Sequence, residues 1–120
     1  MDTEIELKFL VSDAVVPLIP ALITQFAKTV TNKPSRNLQN AYYDTPSREL
    51  RALDIGLRTR CCDGECEQTI KLAGEVVGGL HQRPEYNLPL SGNRPDLLAF
   101  DAAIWPHGMQ VTGIAENLYP

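Results

Sequence analysis

The chain has 120 residues, 43% of them hydrophobic and 22% charged, which suits one small globular domain and excludes a two-domain enzyme or a disordered polymer. Eleven Lys and Arg against fifteen Asp and Glu leave a net charge of −4, so no global field favours nucleic acid or anionic lipid, and any anion site must be built locally. No apolar run approaches the roughly 20 residues of a membrane helix, and the N-terminus is acidic where a signal peptide would be basic and then apolar, so the sequence predicts a cytoplasmic protein.

Residues 4–10 alternate charged and apolar, the period of a strand with two unlike faces. Glu4, Glu6 and Lys8 fall on one face, and Ile5, Leu7 and Phe9 on the other. Ser12 and Asp13 are N-cap candidates for a helix running to about residue 30, with Pro17 tolerated early and Pro20 expected to kink the helix or delay its start. Residues 32–35 read as a loop and 37–43 as a strand, which Asp44-Thr45-Pro46 terminates. Tyr43 and Asp44 are expected to finish that strand and set its turn, and residues 49–53 to form a short connector.

The strongest local signal is the run 56–62, followed by Asp63-Gly64 and a second strand-like run over 65–72. Asp-Gly between two such runs predicts a two-residue hairpin turn. The register then pairs Cys62 with Glu65, Cys61 with Cys66, Arg60 with Glu67 and Arg58 with Thr69. Arg58, Arg60, Glu67, Thr69 and Lys71 share one face; Leu57, Thr59, Cys61, Cys66, Ile70 and Leu72 share the other. Gly78-Gly79 breaks the chain again before a strand over 80–88, in which Arg83, Glu85 and Asn87 lie on one face and Pro84 demands an edge or a bulge. Residues 91–95 read as a linker and 96–104 as a short helix. Domain organisation is therefore strands over 1–90 and a linker with a short helical tail over 91–120. Cys61, Cys62 and Cys66 read as three reduced thiols, because they are odd in number and a zinc site would have only His81 nearby as a further ligand.

One-faced charges on a single strand are ordinarily a solvated outer surface. Here they recur on four strands: Glu4, Glu6, Lys8, Arg58, Arg60, Glu67, Lys71, Arg83 and Glu85. Two arginines roughly 6 to 7 Å apart repel by roughly 2 to 3 kcal/mol at an effective dielectric near 20, and carboxylates or a bound polyanion would relieve this. Phosphoryl transfer and hydrolysis need such a lining, with basic groups clamping phosphate oxygens and carboxylates holding a divalent metal. Glu4 and Glu6, two apart on a strand, can point at one hard metal ion.

Glu-Ile-Glu-Leu-Lys at residues 4–8 resembles the ExExK signature of the CYTH, or triphosphate tunnel metalloenzyme, superfamily. Tyr42-Tyr43-Asp44-Thr45-Pro46, Leu57-Arg58-Thr59-Arg60, Thr69-Ile70-Lys71 and Arg83-Pro84-Glu85 follow in that family's order. Residues 73–87 are most similar to bacterial inorganic triphosphatases in which a CYTH domain precedes a helical CHAD domain. The resemblance implies an α+β fold, an antiparallel β-tunnel with a helix after the first strand, whose charged residues point inward. It implies hydrolysis of tripolyphosphate to pyrophosphate and phosphate with Mg2+ or Mn2+, the partner being a small triphosphate or polyphosphate rather than nucleic acid or membrane. Glu4 and Glu6 would serve the metal and the attacking water, while Lys8, Arg58, Arg60, Lys71 and Arg83 would grip phosphate oxygens. Glu85 would either orient basic residues or help a second metal, and Glu67 would pair with Arg60. Rival readings are thiamine triphosphatase, a class IV adenylate cyclase, or a non-catalytic module that captures polyphosphate. A complete family tunnel has further strands, so the resemblance also implies an incomplete barrel with impaired catalysis and an open sheet edge that invites a second copy.

Overall fold

The computed structural model describes residues 1–7, 10–26 and 37–120. Its centre is an antiparallel sheet of β1 (Asp2–Leu7), β2 (Gln39–Tyr43), β3 (Gly56–Cys62), β4 (Glu65–Lys71), β5 (Glu75–Val77) and β6 (Leu80–Leu90). The strand order is β1-β6-β4-β3-β2, with β5 on the first part of β6. Among the described residues the sheet does not close, so the α+β class holds as an open sheet with a few helices.

The β3–β4 hairpin has the register that its turn dictates: Cys62 opposite Glu65, Cys61 opposite Cys66, Arg60 opposite Glu67 and Arg58 opposite Thr69. Asp63 and Gly64 have φ of 52° and 81°, the pair of left-handed residues that a type I′ turn needs to match strand twist. Gly78 and Gly79, at φ of 58° and 82°, turn β5 back into β6. β5 was not expected from the sequence, because three residues are too few to establish a period.

The chain passes from β4 to β5 along one side of β6, and Gly74 makes the passage. A Cβ there would lie 2.0 Å from the Gln82 carbonyl oxygen and 2.5 Å from the Arg83 Cβ, so no larger residue fits. Pro84 corrects an expectation, since β6 is an inner strand with β1 on one side and β4 and β5 on the other. Its carbonyl accepts from Leu72 N at 3.0 Å. In a strand the nitrogen and carbonyl of one residue point the same way, so the missing N–H faces Leu72 O, which accepts instead from Arg83 Nε at 2.8 Å.

The α-helix after β1 starts later than expected. A 3-10 turn at Val16–Leu18 with Pro17 in its first positions leads into α1 (Ile19–Phe26), and Pro20 occupies the first turn of α1. Proline is accommodated where the N–H needs no intrahelical partner, which is why the α-helix starts so late. Ser12 and Asp13 are therefore not its caps: Val15 precedes the 3-10 turn and makes no side-chain cap. The expected end near residue 30 lies outside the described residues. The connector after β2 is a one-turn helix, α2 (Glu49–Ala52). Asp44 sets this turn by accepting from Leu50 N and Arg51 N at 2.9 and 3.1 Å, while the Thr45 hydroxyl accepts from Glu49 N at 3.1 Å.

The core lies on the sheet face opposite the arginines. Leu57 and Ile70 pack there with Leu50, Ile55, Leu97, Phe100, Ile114 and Leu118. Half of this cluster comes from beyond residue 90, so that segment is an integral layer rather than a linker with a tail. It forms two 3-10 turns, Leu97–Ala99 and Ala102–Ile104, and the helix α3 (Val111–Ala115). The fully buried Gln68 holds the layer to the sheet by donating to Asp96 O at 3.0 Å and accepting from Asp96 N at 2.8 Å. Asp44 and Tyr119 exchange two backbone hydrogen bonds at its far end.

The cysteines are not three reduced thiols. Cys61 and Cys66 form a disulfide across the hairpin, their Cα atoms 4.1 Å apart, because the register sets them directly opposite on one face. Cys62 stays outside that bond, its Sγ 3.7 Å from Asp63 Oδ2.

Candidate functional site

Strand parity and four ladders assemble the site. Directly opposed residues share a face, so the row Arg58, Thr69 and Asn87 runs across β3, β4 and β6, with Tyr42 of β2 beyond Arg58. The adjacent rows are Asn40, Arg60 and Glu67 on one side, and Lys71, Glu85 and Asp2 on the other. Glu4 opposes Arg83 and Glu6 opposes His81 at the β1 edge. Glu4, Glu6, Arg58, Arg60, Lys71 and Glu85 therefore stand on one side of the sheet, away from the core.

Four hydrogen bonds organise this face. Lys71 Nζ donates to Glu4 Oε1 at 2.6 Å, joining β4 to β1 across β6. With the two side chains 25% and 22% exposed, the pair is worth no more than about 1 kcal/mol, and its importance is that it gathers strands distant in sequence. Arg58 Nη2 donates to the Thr69 hydroxyl at 3.2 Å, and that buried hydroxyl donates to Asn87 Oδ1 at 2.6 Å. Arg60 Nε donates to Asn40 Oδ1 at 2.7 Å. Arg58 Nε is buried and has no partner among the described residues. An orphaned buried donor ordinarily costs about 1 to 3 kcal/mol, which an acceptor arriving at this face would recover.

Several expected members behave differently. Lys8 lies outside the described residues. Arg83 opposes Glu4 in the ladder, yet its guanidinium donates to three backbone carbonyls: Leu72 O at 2.8 Å, Lys71 O at 3.0 Å and Asp54 O at 3.0 Å. It thus ties β6 to the end of β4 and to the turn before β3. Glu67 opposes Arg60, but among the described residues the two form no ion pair, and Arg60 turns to Asn40 instead. The sequence reading gave Thr69 and Asn87 a face without a role, and Asn40 neither. The available signal was that neutral polar residues sit in the same rows as the arginines.

Glu4, Glu6 and Glu85 are hard oxygen donors, the chemistry that magnesium-like cations take one or two of while keeping water and phosphate oxygens in the remaining positions. Among the described residues no three acidic, histidine or cysteine groups converge to hold a metal by themselves. The donor set thus fits a hydrated cation shared with a phosphate ligand, and it does not form an all-protein cage.

A family model described as the CYTH domain matches residues 2–119. The chain belongs to the CYTH domain family. An inorganic triphosphatase of Haemophilus influenzae is 44% identical over 87 residues, covering 72% of this chain and 24% of that protein. The chain thus spans about a quarter of the length of the curated relative it matches. A solved Hippeastrum protein, described as revealing a dominant triphosphatase activity, shares the fold with a TM-score of 0.52 at 19% identity, over 68% of this chain and 37% of that one. The CYTH match runs through the layer beyond residue 90, in keeping with its place in the core. No helix among the described residues is long and apolar enough to cross a membrane.

Proposed function

We propose that this CYTH domain binds inorganic triphosphate on its charged sheet face and takes part in its hydrolysis to pyrophosphate and phosphate. The observation that carries the reading is the gathering of Glu4, Lys71, Arg58 and Arg60 on the sheet face opposite the core, in a chain 44% identical to an inorganic triphosphatase over 87 residues. That relative favours inorganic triphosphate over thiamine triphosphate or a cyclase substrate.

Arg58 and Arg60 supply positive charge to the phosphate oxygens, and the orphan Nε of Arg58 is a donor for one of them. Lys71 contributes a third cationic group at the Glu4 end. Glu4 and Glu6, with Glu85 nearby, would hold Mg2+ or Mn2+; such a cation, when bound, neutralises charge developing on the phosphate oxygens. A carboxylate of Glu4 or Glu6 accepts a proton from water as its oxygen bonds to the terminal phosphorus. The bond to the bridging oxygen breaks, and pyrophosphate leaves with its new charge held by the arginines. Arg83, committed to backbone carbonyls, supports this face rather than gripping phosphate.

The test is phosphate release from tripolyphosphate by this chain with magnesium and then manganese, beside a Glu4→Ala, Glu6→Ala double variant and beside calorimetric binding. Metal-dependent release lost in the double variant is the expected result. A folded chain that neither binds nor cleaves tripolyphosphate would refute the reading.

A further inference from the structure

The three cations on the charged face are not held alike. Lys71 is paired with a carboxylate, Glu4, at 2.6 Å. Both arginines are instead held by neutral oxygen acceptors: Arg60 by Asn40 at 2.7 Å, and Arg58 by Thr69 at 3.2 Å, whose hydroxyl is itself fixed by Asn87 at 2.6 Å. Glu67 stands directly across from Arg60 and could have served, yet Arg60 takes the amide. A carboxylate would orient a guanidinium equally well and would cancel its charge, whereas an amide or hydroxyl oxygen orients it and leaves the charge intact. The relay spans three strands, so each arginine is fixed by a residue of a neighbouring strand rather than by its own.

We propose that Asn40, Thr69 and Asn87 are positioning residues that aim Arg58 and Arg60 at a polyphosphate anion while preserving their full charge. Asn40 acts on Arg60 from the β2 edge. Asn87 acts on Arg58 through Thr69: the hydroxyl spends its one proton on Asn87, so its lone pairs are turned to the guanidinium. The buried Arg58 Nε, which has no protein acceptor among the described residues, is the donor left for the ligand. The inference rests on the triphosphate reading and adds to it the three residues that determine how strongly the arginines act.

The experiment titrates sodium tripolyphosphate, without metal so that no turnover occurs, into the unchanged chain and four variants: Asn40→Ala, Asn40→Asp, Asn87→Ala and Asn87→Asp. Asn40 and Asn87 are exposed, so the fold should survive, and thermal melting checks it. The alanine variants should loosen an arginine and weaken binding about twofold to threefold, while the aspartates keep the hydrogen bond and add a negative charge, beside the Arg60 guanidinium in Asn40→Asp and one hydroxyl removed from Arg58 in Asn87→Asp, weakening binding about tenfold and about fivefold. A merely structural role predicts the opposite order, because aspartate preserves the contact and alanine deletes it. In parallel, the Arg60 Nε–H chemical shift of the ligand-free chain should move toward that of a free arginine in Asn40→Ala and not in Asn40→Asp. Alanine variants as weak as or weaker than the aspartates, or an Arg60 Nε–H shift that Asn40→Ala leaves in place, would overturn the proposal while the triphosphate reading stands. Failure of the unchanged chain to bind at all would overturn the triphosphate reading and this proposal with it.

Discussion

Arg83→Ala separates a structural arginine from a substrate-binding one. The Arg83 guanidinium donates to Leu72 O and Lys71 O, both part-buried, and to Asp54 O, which is exposed. Hydrogen bonds from a charged donor contribute about 1.5 to 3 kcal/mol each, so the two part-buried ones, taken at the low end, amount to about 3 kcal/mol. The exposed one adds little, because water replaces it. For a chain of this size such a loss lowers Tm by on the order of 10 °C or more. The assay is urea denaturation of Arg83→Ala and Arg83→Lys with tripolyphosphate titrated into each. Lysine carries a single ammonium that cannot span three carbonyls, so it should recover less than half of the loss. Binding should weaken only in step with the displacement of Lys71, whose carbonyl Arg83 holds. If Arg83→Ala keeps full stability and loses tripolyphosphate affinity, the clamp reading is wrong and Arg83 is a phosphate ligand.

Gly74→Ala places a Cβ 2.0 Å from a backbone oxygen, so it should detach β5 from β6 at a cost of more than about 3 kcal/mol, seen as a collapse of amide protection over residues 75–82 in hydrogen exchange. Gly64→Ala meets no atom within 4 Å and suffers only its left-handed φ of 81°, so urea denaturation should show a loss of about 1 kcal/mol. Gln68→Leu removes both bonds to Asp96 from a fully buried position and should cost about 2 to 4 kcal/mol, with near-ultraviolet circular dichroism of Trp105 reporting the loosened layer beyond residue 90. Cys61→Ser with Cys66→Ser opens a disulfide whose partners are only five residues apart and already paired by the hairpin, so chemical denaturation should show a loss of no more than about 2 kcal/mol.

Local chemistry was legible wherever one residue type forces one geometry. Asp63-Gly64 compels the type I′ turn, and parity then puts Arg58, Arg60, Glu67, Thr69 and Lys71 on one face and Leu57, Thr59, Cys61, Cys66 and Ile70 on the other. Pro17 and Pro20 delayed α1 for the same kind of reason. What the sequence concealed is nonlocal. The layer beyond residue 90 lacks period, because it is built from short 3-10 turns whose apolar residues meet the core one at a time. Its anchor, Gln68, falls by parity on the apolar face with Thr59 and Ile70, and only the approach of Asp96 supplies the partner that lets an amide be buried there. The disulfide is hidden differently: the register opposes Cys61 to Cys66, but an odd number of cysteines within six residues argues against pairing.

The site shows where charge counting stops being informative. Alternation along strands identifies which groups face one way, and it grouped Glu4, Glu6, Arg58, Arg60 and Lys71 without a structure. It is silent on what each group is bonded to, and that decides what the group can do. Arg83 has the same sequence credentials as Arg58, yet three carbonyls occupy the former while the latter keeps a buried donor without a partner among the described residues. Asn40 and Asn87 have no charge to count, yet Asn40 stands where a carboxylate would have cancelled Arg60, and Asn87 fixes the hydroxyl that holds Arg58. The anion-binding surface proposed for this chain of net charge −4 would depend on such neutral neighbours as much as on its cations, because the acidic balance elsewhere has to be kept from closing every ion pair.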